Sequence, residues 1–413
     1  MNKTKQKSFY GFMLGFVILF WLIIFIAEVL MLSDIFRPVY NLGLGDILYD
    51  IPMQAGTFES VVLLLIIINS SSFIFSNILL RKYPSKISNF IYKISAIWLG
   101  FLYLFFLAFI FSKIYQNIFF NFNINNILYF YCAAILISLY GLYNSKKIRI
   151  VNRDILIKNL PSTWENKKSA FITDTHYGPI HSENDARKVV NIINEVNKKE
   201  IESGNRSGLS FLFHTGDFYD GPKMDWAKPA NEYKKLDTNI KKYFVSGNHE
   251  EYAQSGDTDH NVVKCIQDAG FIIADGKVFD EDGVNIIGIN YKRGEEGDAE
   301  VVKKVFENLE TRNSISENNI KIKKPSIVLK HVPTNTKILA DYESDLVLCG
   351  HTHNGQMFPF NFLTKYIYKG FNYGLKYEGD TQVYTSSGVG SWGPPQRLGT
   401  KSEIVVLTFK SRA

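Results

Sequence analysis

The amino-acid sequence predicts a layered α/β domain over residues 151–413, preceded by a four-span apolar region over residues 1–150. Three observations carry this. Composition changes sharply near residue 150. Beyond it, short apolar runs alternate with amphipathic stretches, and a polar block follows directly on several of those runs. At 413 residues the chain has material for two or three domains, and its mean hydropathy of −0.04 averages two unlike halves.

The first half is apolar. Phe9–Ala27, Ser60–Leu80, Ile94–Ser112 and about Ile127–Tyr143 are uncharged runs, each long enough as a helix to cross about 30 Å of hydrocarbon. Asn69-Ser-Ser-Ser72 interrupts the second, which is tolerable where a neighbouring helix covers the hydroxyls. Phe9–Ala27 is longer than a signal-peptide core, no small-residue cleavage site follows it, and three more runs come after, so an anchor is expected rather than a cleaved leader. Glu28 is read as interfacial rather than as part of a proton relay. Lys3, Lys5 and Lys7, then Arg81, Lys82 and Lys86, then Lys146, Lys147, Arg149 and Arg153 flank alternate ends of the runs. The bias of basic residues toward cytoplasmic loops predicts a multi-pass protein of the cell (inner) membrane, with both termini and the second half cytoplasmic.

Residues 1–150 hold 12 Lys and Arg against 5 Asp and Glu, a surplus of 7 in a chain whose total is +6, so residues 151–413 stand at −1. The basic pI of 8.8 therefore belongs to the flanks of apolar runs, and no nucleic-acid partner is expected. Cys132, Cys265 and Cys349 lie far apart, which argues against a disulfide framework or a thiolate zinc site.

In the second half, Ala170–Thr173, Leu209–His214, Tyr243–Val245, Ser326–Leu329, Leu346–Leu348 and Ile404–Phe409 read as strands. Residues 184–201 carry Val189, Ile192, Ile193 and Val196 on one helical face, and residues 298–310 form a second helix. Phe358, Phe360, Phe362, Tyr366 and Tyr368 make an aromatic-rich stretch, read first as core and edge-strand residues and second as the lining of an acyl-chain cleft.

The polar blocks are Asp174-Thr-His176, Gly216-Asp217-Phe-Tyr-Asp220, Gly247-Asn248-His249-Glu250, His331 and Gly350-His351-Thr-His353, and they hold five of the eight histidines. Ligands in α/β sheets collect at strand ends, so blocks distant in sequence can converge. Residues two apart in extended chain point the same way, so Asp174 with His176, and His351 with His353, can each send two side chains to one cluster. Asp217 has two oxygens with which to bridge two ions, and Asn248 offers a neutral carbonyl oxygen. Two divalent ions, two aspartates and one hydroxide leave a single positive charge, which favours an incoming phosphate. Asp-x-His alone is weak evidence; the ordered set, with glycines where the backbone must turn tightly, is strong. His214, inside an apolar strand, and His260 read as structural, while His181 is a candidate for the cleft wall.

These blocks resemble the calcineurin-like metallophosphoesterase superfamily, and more narrowly its membrane-anchored bacterial branch. The branch's GHTHxGQ block is matched by Gly350-His-Thr-His-Asn-Gly-Gln356, and its GxGxWGPPxRxG…EI tail by Gly388 to Gly399 with Glu403-Ile404. The resemblance covers about residues 165–410 and implies a four-layer αββα sandwich. It implies one metal held by Asp174, His176, Asp217 and His353, and another by Asp217, Asn248, His331 and His351. His249 is then the acid, or the donor to a phosphate oxygen, oriented by Asp220. Manganese, iron, zinc and cobalt all suit such donors. The implied activity is cleavage of a phosphodiester or pyrophosphate by metal-bound hydroxide, on a small or lipid-linked phosphate substrate. UDP-2,3-diacylglucosamine, a lipid A precursor, is the most specific expectation. A phosphomonoesterase or protein phosphatase, or a membrane signalling protein that only binds phosphate, is the alternative.

Overall fold

The computed structural model describes residues 19, 21–32, 55–119, 126–205, 207–221, 225–251, 262–314 and 324–412. The chain divides into two compact units, Met1–Leu142 and Tyr143–Ala413.

The first unit is helical: α1 (Trp21–Leu32), α2 (Ala55–Lys82), α3 (Lys86–Ile118) and most of α4 (Ile127–Lys146). Among the described residues three helices, not four, are long and apolar enough to cross a membrane: Leu63–Lys82 within α2, then α3 and α4. Most of the run expected at Phe9–Ala27 lies outside the described residues. Its described part continues to Leu32 as α1, whose twelve residues extend only about 18 Å. The hydroxyls interrupting α2 are occupied: Ser70 Oγ donates to the Ile66 carbonyl at 2.8 Å, and Ser71 accepts the Trp21 indole N–H at 3.0 Å. Phe75, Phe90 and Leu136 are each more than 60% exposed, as a surface in contact with lipid requires.

Among the described residues the second unit holds twelve strands: β1 (Ile148–Ile157), β2 (Lys168–Ile172), β3 (Leu209–His214), β4 (Lys241–Phe244), β5 (Phe271–Ile273), β6 (Val278–Glu281), β7 (Val284–Ile289), β8 (Ser326–Lys330), β9 (Leu346–Cys349), β10 (Gly374–Glu378), β11 (Thr381–Thr385) and β12 (Ser402–Ser411). They form two six-stranded sheets, ordered β1-β12-β2-β3-β4-β5 and β10-β11-β9-β8-β7-β6. The helices are α5 (Glu183–Glu202), α6 (Ala227–Glu232), α7 (Val262–Asp268), α8 (Glu295–Ser314), α9 (Thr336–Asp341) and α10 (Phe360–Ile367).

Strand periodicity makes the layers. In β12, Ile404 and Val406 pack toward the helical side with Val189 and Ile193 of α5, while Val405, Leu407 and Phe409 face the other sheet. In β8, Ile327 and Leu329 enter the same inter-sheet core, and Val328 turns outward to Val302 and Phe306 of α8 and Leu339 of α9. The result is helices, sheet, sheet, helices: the four-layer arrangement. Ser182 starts α5 through a reciprocal capping box, with its N–H on Asp185 at 2.7 Å, and Glu183 and Asp185 complement the helix dipole.

The aromatic stretch after the GHTH block is a correction. It forms helix α10, not core or edge strand, and no residue of that helix is buried. Its spacing explains this: Phe362 and Tyr366, like Leu363 and Ile367, lie four apart on one helical face.

Candidate metal centre

β2, β3 and β4 run parallel, with Ile172, His214 and Phe244 in register at their C-terminal ends. β8 and β9 are parallel in the second sheet. Five loops leave these ends. Asp174 and His176 follow β2, Asp217 and Asp220 follow β3, Asn248 to Glu250 follow β4, His331 follows β8, and His351 and His353 follow β9. Backbone bonds fasten the loops together: Asp174 N–H donates to the Gly216 carbonyl and His176 N–H to that of Asp217, both at 3.0 Å, and Gly350 N–H to that of His331 at 2.8 Å.

Three groups of donors lie close enough to share an ion: Asp174, His176 and His353; His176, Asp217 and His249; Asp217, His331 and His351. His353 Nε2 is 3.0 Å from His176 Nε2 and 3.5 Å from Asp174 Oδ1. His331 Nε2 is 3.2 Å from both Asp217 Oδ2 and His351 Nδ1, and 3.1 Å from Asn248 Oδ1. His249 Nδ1 meets Asp220 Oδ1 at 3.0 Å, and its Nε2 lies 3.9 Å from Asp217 Oδ2. Asp217 is thus common to two of the three groups.

Most of these side chains are buried, and burial sets their charges. Burial holds His176, His351 and His353 neutral, His351 down to about 3, which leaves their ring nitrogens with lone pairs to give. Burial also pushes Asp174 up to about 6. Asp217 resists the same burial because His331 and His249 hold it well below the usual carboxylate range. Burial opposes charge on His249, yet Asp217 and then Asp220 raise it to about 10. These donors fit divalent cations. Ring nitrogens facing each other at 3.0 and 3.2 Å either share a proton or give their lone pairs to a cation, and each pair has a carboxylate at hand to complete such a site.

The backbone bends to achieve this. Asp174, His176, Asp217, His351 and His353 all have positive φ, between 48° and 70°. Left-handed backbone costs an ordinary residue about 1–2 kcal/mol and persists where surroundings impose it, as at functional sites. The glycines are close approaches: a Cβ on Gly350 would stand 2.4 Å from Asp174 Oδ2, and one on Gly247 2.2 Å from Asp217 Oδ1.

Two residues escaped the sequence reading. Glu250 is fully buried and accepts four backbone N–H groups, from Asp217 (2.9 Å), Phe218 (2.8 Å), Tyr219 (3.2 Å) and Gly247 (2.8 Å). Arg397 is buried as well. Its guanidinium binds the carbonyls of Ser387, Gly388 and Gly390 behind Asp174 and lies 3.4 Å from His353 Nδ1. The signal was present in both cases, a charged residue within a quoted block, but a partner made of backbone leaves no sequence pattern. His214 is a core residue among Phe218, Phe244 and Phe271. His181 accepts the Ser391 N–H at 2.9 Å and packs beside the cluster. His260 lies outside the described residues.

Comparison with known proteins agrees with this geometry. Residues 167–355 match the calcineurin-like phosphoesterase family. A Danio rerio protein named transmembrane protein with metallophosphoesterase domain is 24% identical over 282 residues, 66% of this chain and 60% of its own length. An uncharacterized metallophosphoesterase of Helicobacter pylori is 31% identical over 248 residues, 58% of this chain and 59% of its own length. One of Aquifex aeolicus is 27% identical over 281 residues, 68% of this chain and 98% of its own length. The chain therefore spans about three fifths of the first two relatives and nearly all of the third.

Proposed function

We propose that the calcineurin-like metallophosphoesterase domain of this chain hydrolyses a phosphodiester or pyrophosphate bond in a lipid-linked substrate, at the cytoplasmic face of the membrane its apolar helices enter. The single observation that carries the hydrolytic reading is the position of the Asp217 carboxylate, shared between the His176 and His331 groups of donors. Two divalent cations held there, one by Asp174, His176, Asp217 and His353 and one by Asp217, Asn248, His331 and His351, would supply Lewis acidity and bring the pKa of water to about 7.

The chain's own residues do the rest. Asp217 and Asp220 favour the protonated form of His249, and Asp220 fixes the ring through Nδ1, so Nε2 can give a proton to a leaving oxygen. Asn248 supplies an oxygen without a charge, which keeps the site short of anions and receptive to a phosphate. The loops after β2, β3 and β9 bury the ligands and exclude bulk water, strengthening every charge interaction inside. A substrate with an acyl tail is supported by the three apolar helices, and UDP-2,3-diacylglucosamine is its most specific form. The cytoplasmic orientation rests on the basic residues at 81–86 and 146–153.

The test is an assay of the purified full chain with manganese on three substrates: UDP-2,3-diacylglucosamine, a soluble phosphomonoester and a phosphopeptide. Cleavage of the nucleotide lipid at its pyrophosphate is expected. Turnover of the phosphopeptide alone would replace this reading with a protein phosphatase, and turnover of none, with phosphate still bound, with a binding protein.

A further inference from the structure

Helix α10 has the composition of a membrane-surface helix and the exposure of one. Phe362 (63%), Leu363 (51%), Tyr366 (85%) and Ile367 (54%) face outward, and Trp392 (59%) is exposed on the loop bonded to the start of this segment. Lys365 and Lys369 are exposed among them, and no acidic residue occurs between positions 354 and 377. An amphipathic helix that mixes aromatic, aliphatic and lysine side chains and lacks acids suits the boundary between acyl chains and anionic headgroups.

The place where the chain enters this unit points to the same occupant. Asn144 and Ser145, at the end of the last apolar helix, are bonded to the tail loop: Asn144 Nδ2 donates to the carbonyls of Arg397 (2.8 Å) and Thr400 (3.0 Å), and Ser145 Oγ to that of Pro395 (2.8 Å). The same loop holds the start of the aromatic segment. Gln356 Nε2 donates to the carbonyls of Trp392 and Pro394, both at 2.9 Å, and Phe358 N–H to that of Leu398 at 3.0 Å. One loop therefore joins the chain's exit from its last candidate span to the aromatic helix. At the other end of the segment, Tyr368 stands edge-on to the imidazole of His351, with ring centroids 6.0 Å apart.

We propose that α10 and Trp392 form a docking surface for the lipid headgroup interface, and that it holds the rim of the metal centre against the bilayer. This rests on the membrane anchoring proposed above and is independent of the reaction. A substrate with an acyl tail could then present its phosphate while its tail stays in the membrane.

The test uses the full chain in vesicles of phosphatidylcholine and phosphatidylglycerol, with Cys132→Ser and Cys265→Ser as background, because these are the two accessible thiols. An environment-sensitive fluorophore is placed singly at Leu363→Cys and Tyr366→Cys. Lys198→Cys, on the exposed end of α5, is the aqueous control, and Leu136→Cys, on α4, the membrane control. Labels at 363 and 366 should lose most of their quenching by iodide, relative to 198, and gain quenching by spin-labelled lipid. Full iodide quenching at 363 and 366 with lipid quenching at 136 would overturn the docking surface and leave the anchoring intact. Iodide quenching at 136 as well would remove the anchoring and the docking together. Shielding of 363 and 366 from both quenchers would place a protein on this face, and would also overturn the proposal.

Discussion

The two sides of the candidate metal centre are built to different standards of rigidity. On the His331 side, the ring Nδ1 donates to the Thr215 carbonyl at 2.6 Å, so the backbone fixes the tautomer that leaves Nε2 free to bind. On the His176 side, Nδ1 is buried with no hydrogen-bond partner among the described residues, and Nε2 faces His353 Nε2. The tautomer of His353 that frees Nε2 puts a proton on Nδ1, so Arg397 beside it orients the ring by packing, not by a hydrogen bond. One side of the candidate site is held by the backbone, and the other by contacts among its own side chains. A ligand set written in sequence is thus uniform in residue type and uneven in how firmly each residue is held.

That contrast can be broken first at the residue common to both sides. Asp217→Asn should cut turnover by about 10³-fold, the range for loss of a principal electrostatic element, and lower metal content on both sides. A loss confined to one equivalent of metal would show that the two sides do not share it. His249→Gln should cost about 10²-fold in kcat while bound metal, measured by elemental analysis, stays unchanged; a fall in metal content would make His249 a ligand. Arg397→Met acts on the His353 side alone and should weaken metal retention against a chelator about 10–100-fold, the usual consequence of removing a group that orients a ligand. Equal weakening of both equivalents would contradict the asymmetry. The smallest effect is expected at Asn354→Gly. Its φ of 50° favours glycine, but glycine forfeits the 2.8 Å hydrogen bond that Asn372 Nδ2 donates to Asn354 Oδ1, so unfolding stability should move by no more than about 1 kcal/mol.

Much of this was legible in the chain. Every metal-binding candidate lies in a short block directly after an apolar strand, and strand ends converge, so Asp174, His176, Asp217, Asn248, His331, His351 and His353 group together on sequence alone. Periodicity marked α5 and the strands β3, β8 and β9 within a residue or two. The order of strands in the two sheets was not legible, because pairing is set by long-range packing rather than by any local pattern. Glu250 and Arg397 were hidden for the same reason, their partners being peptide groups that every residue possesses. The aromatic run at 358–368 was misread because alternation at 358, 360 and 362 imitates a strand over its first few positions, while the four-residue spacing appears only further along.

The carboxylate of Glu250 has a consequence for how firmly the candidate site is held. It collects amides from the turn after β3 and from the turn after β4, so neither turn can swing outward without stripping the other of its acceptor inside a dry interior. The two turns are therefore tied into one piece, and the spacing between Asp217 and Asn248 is set by the fold.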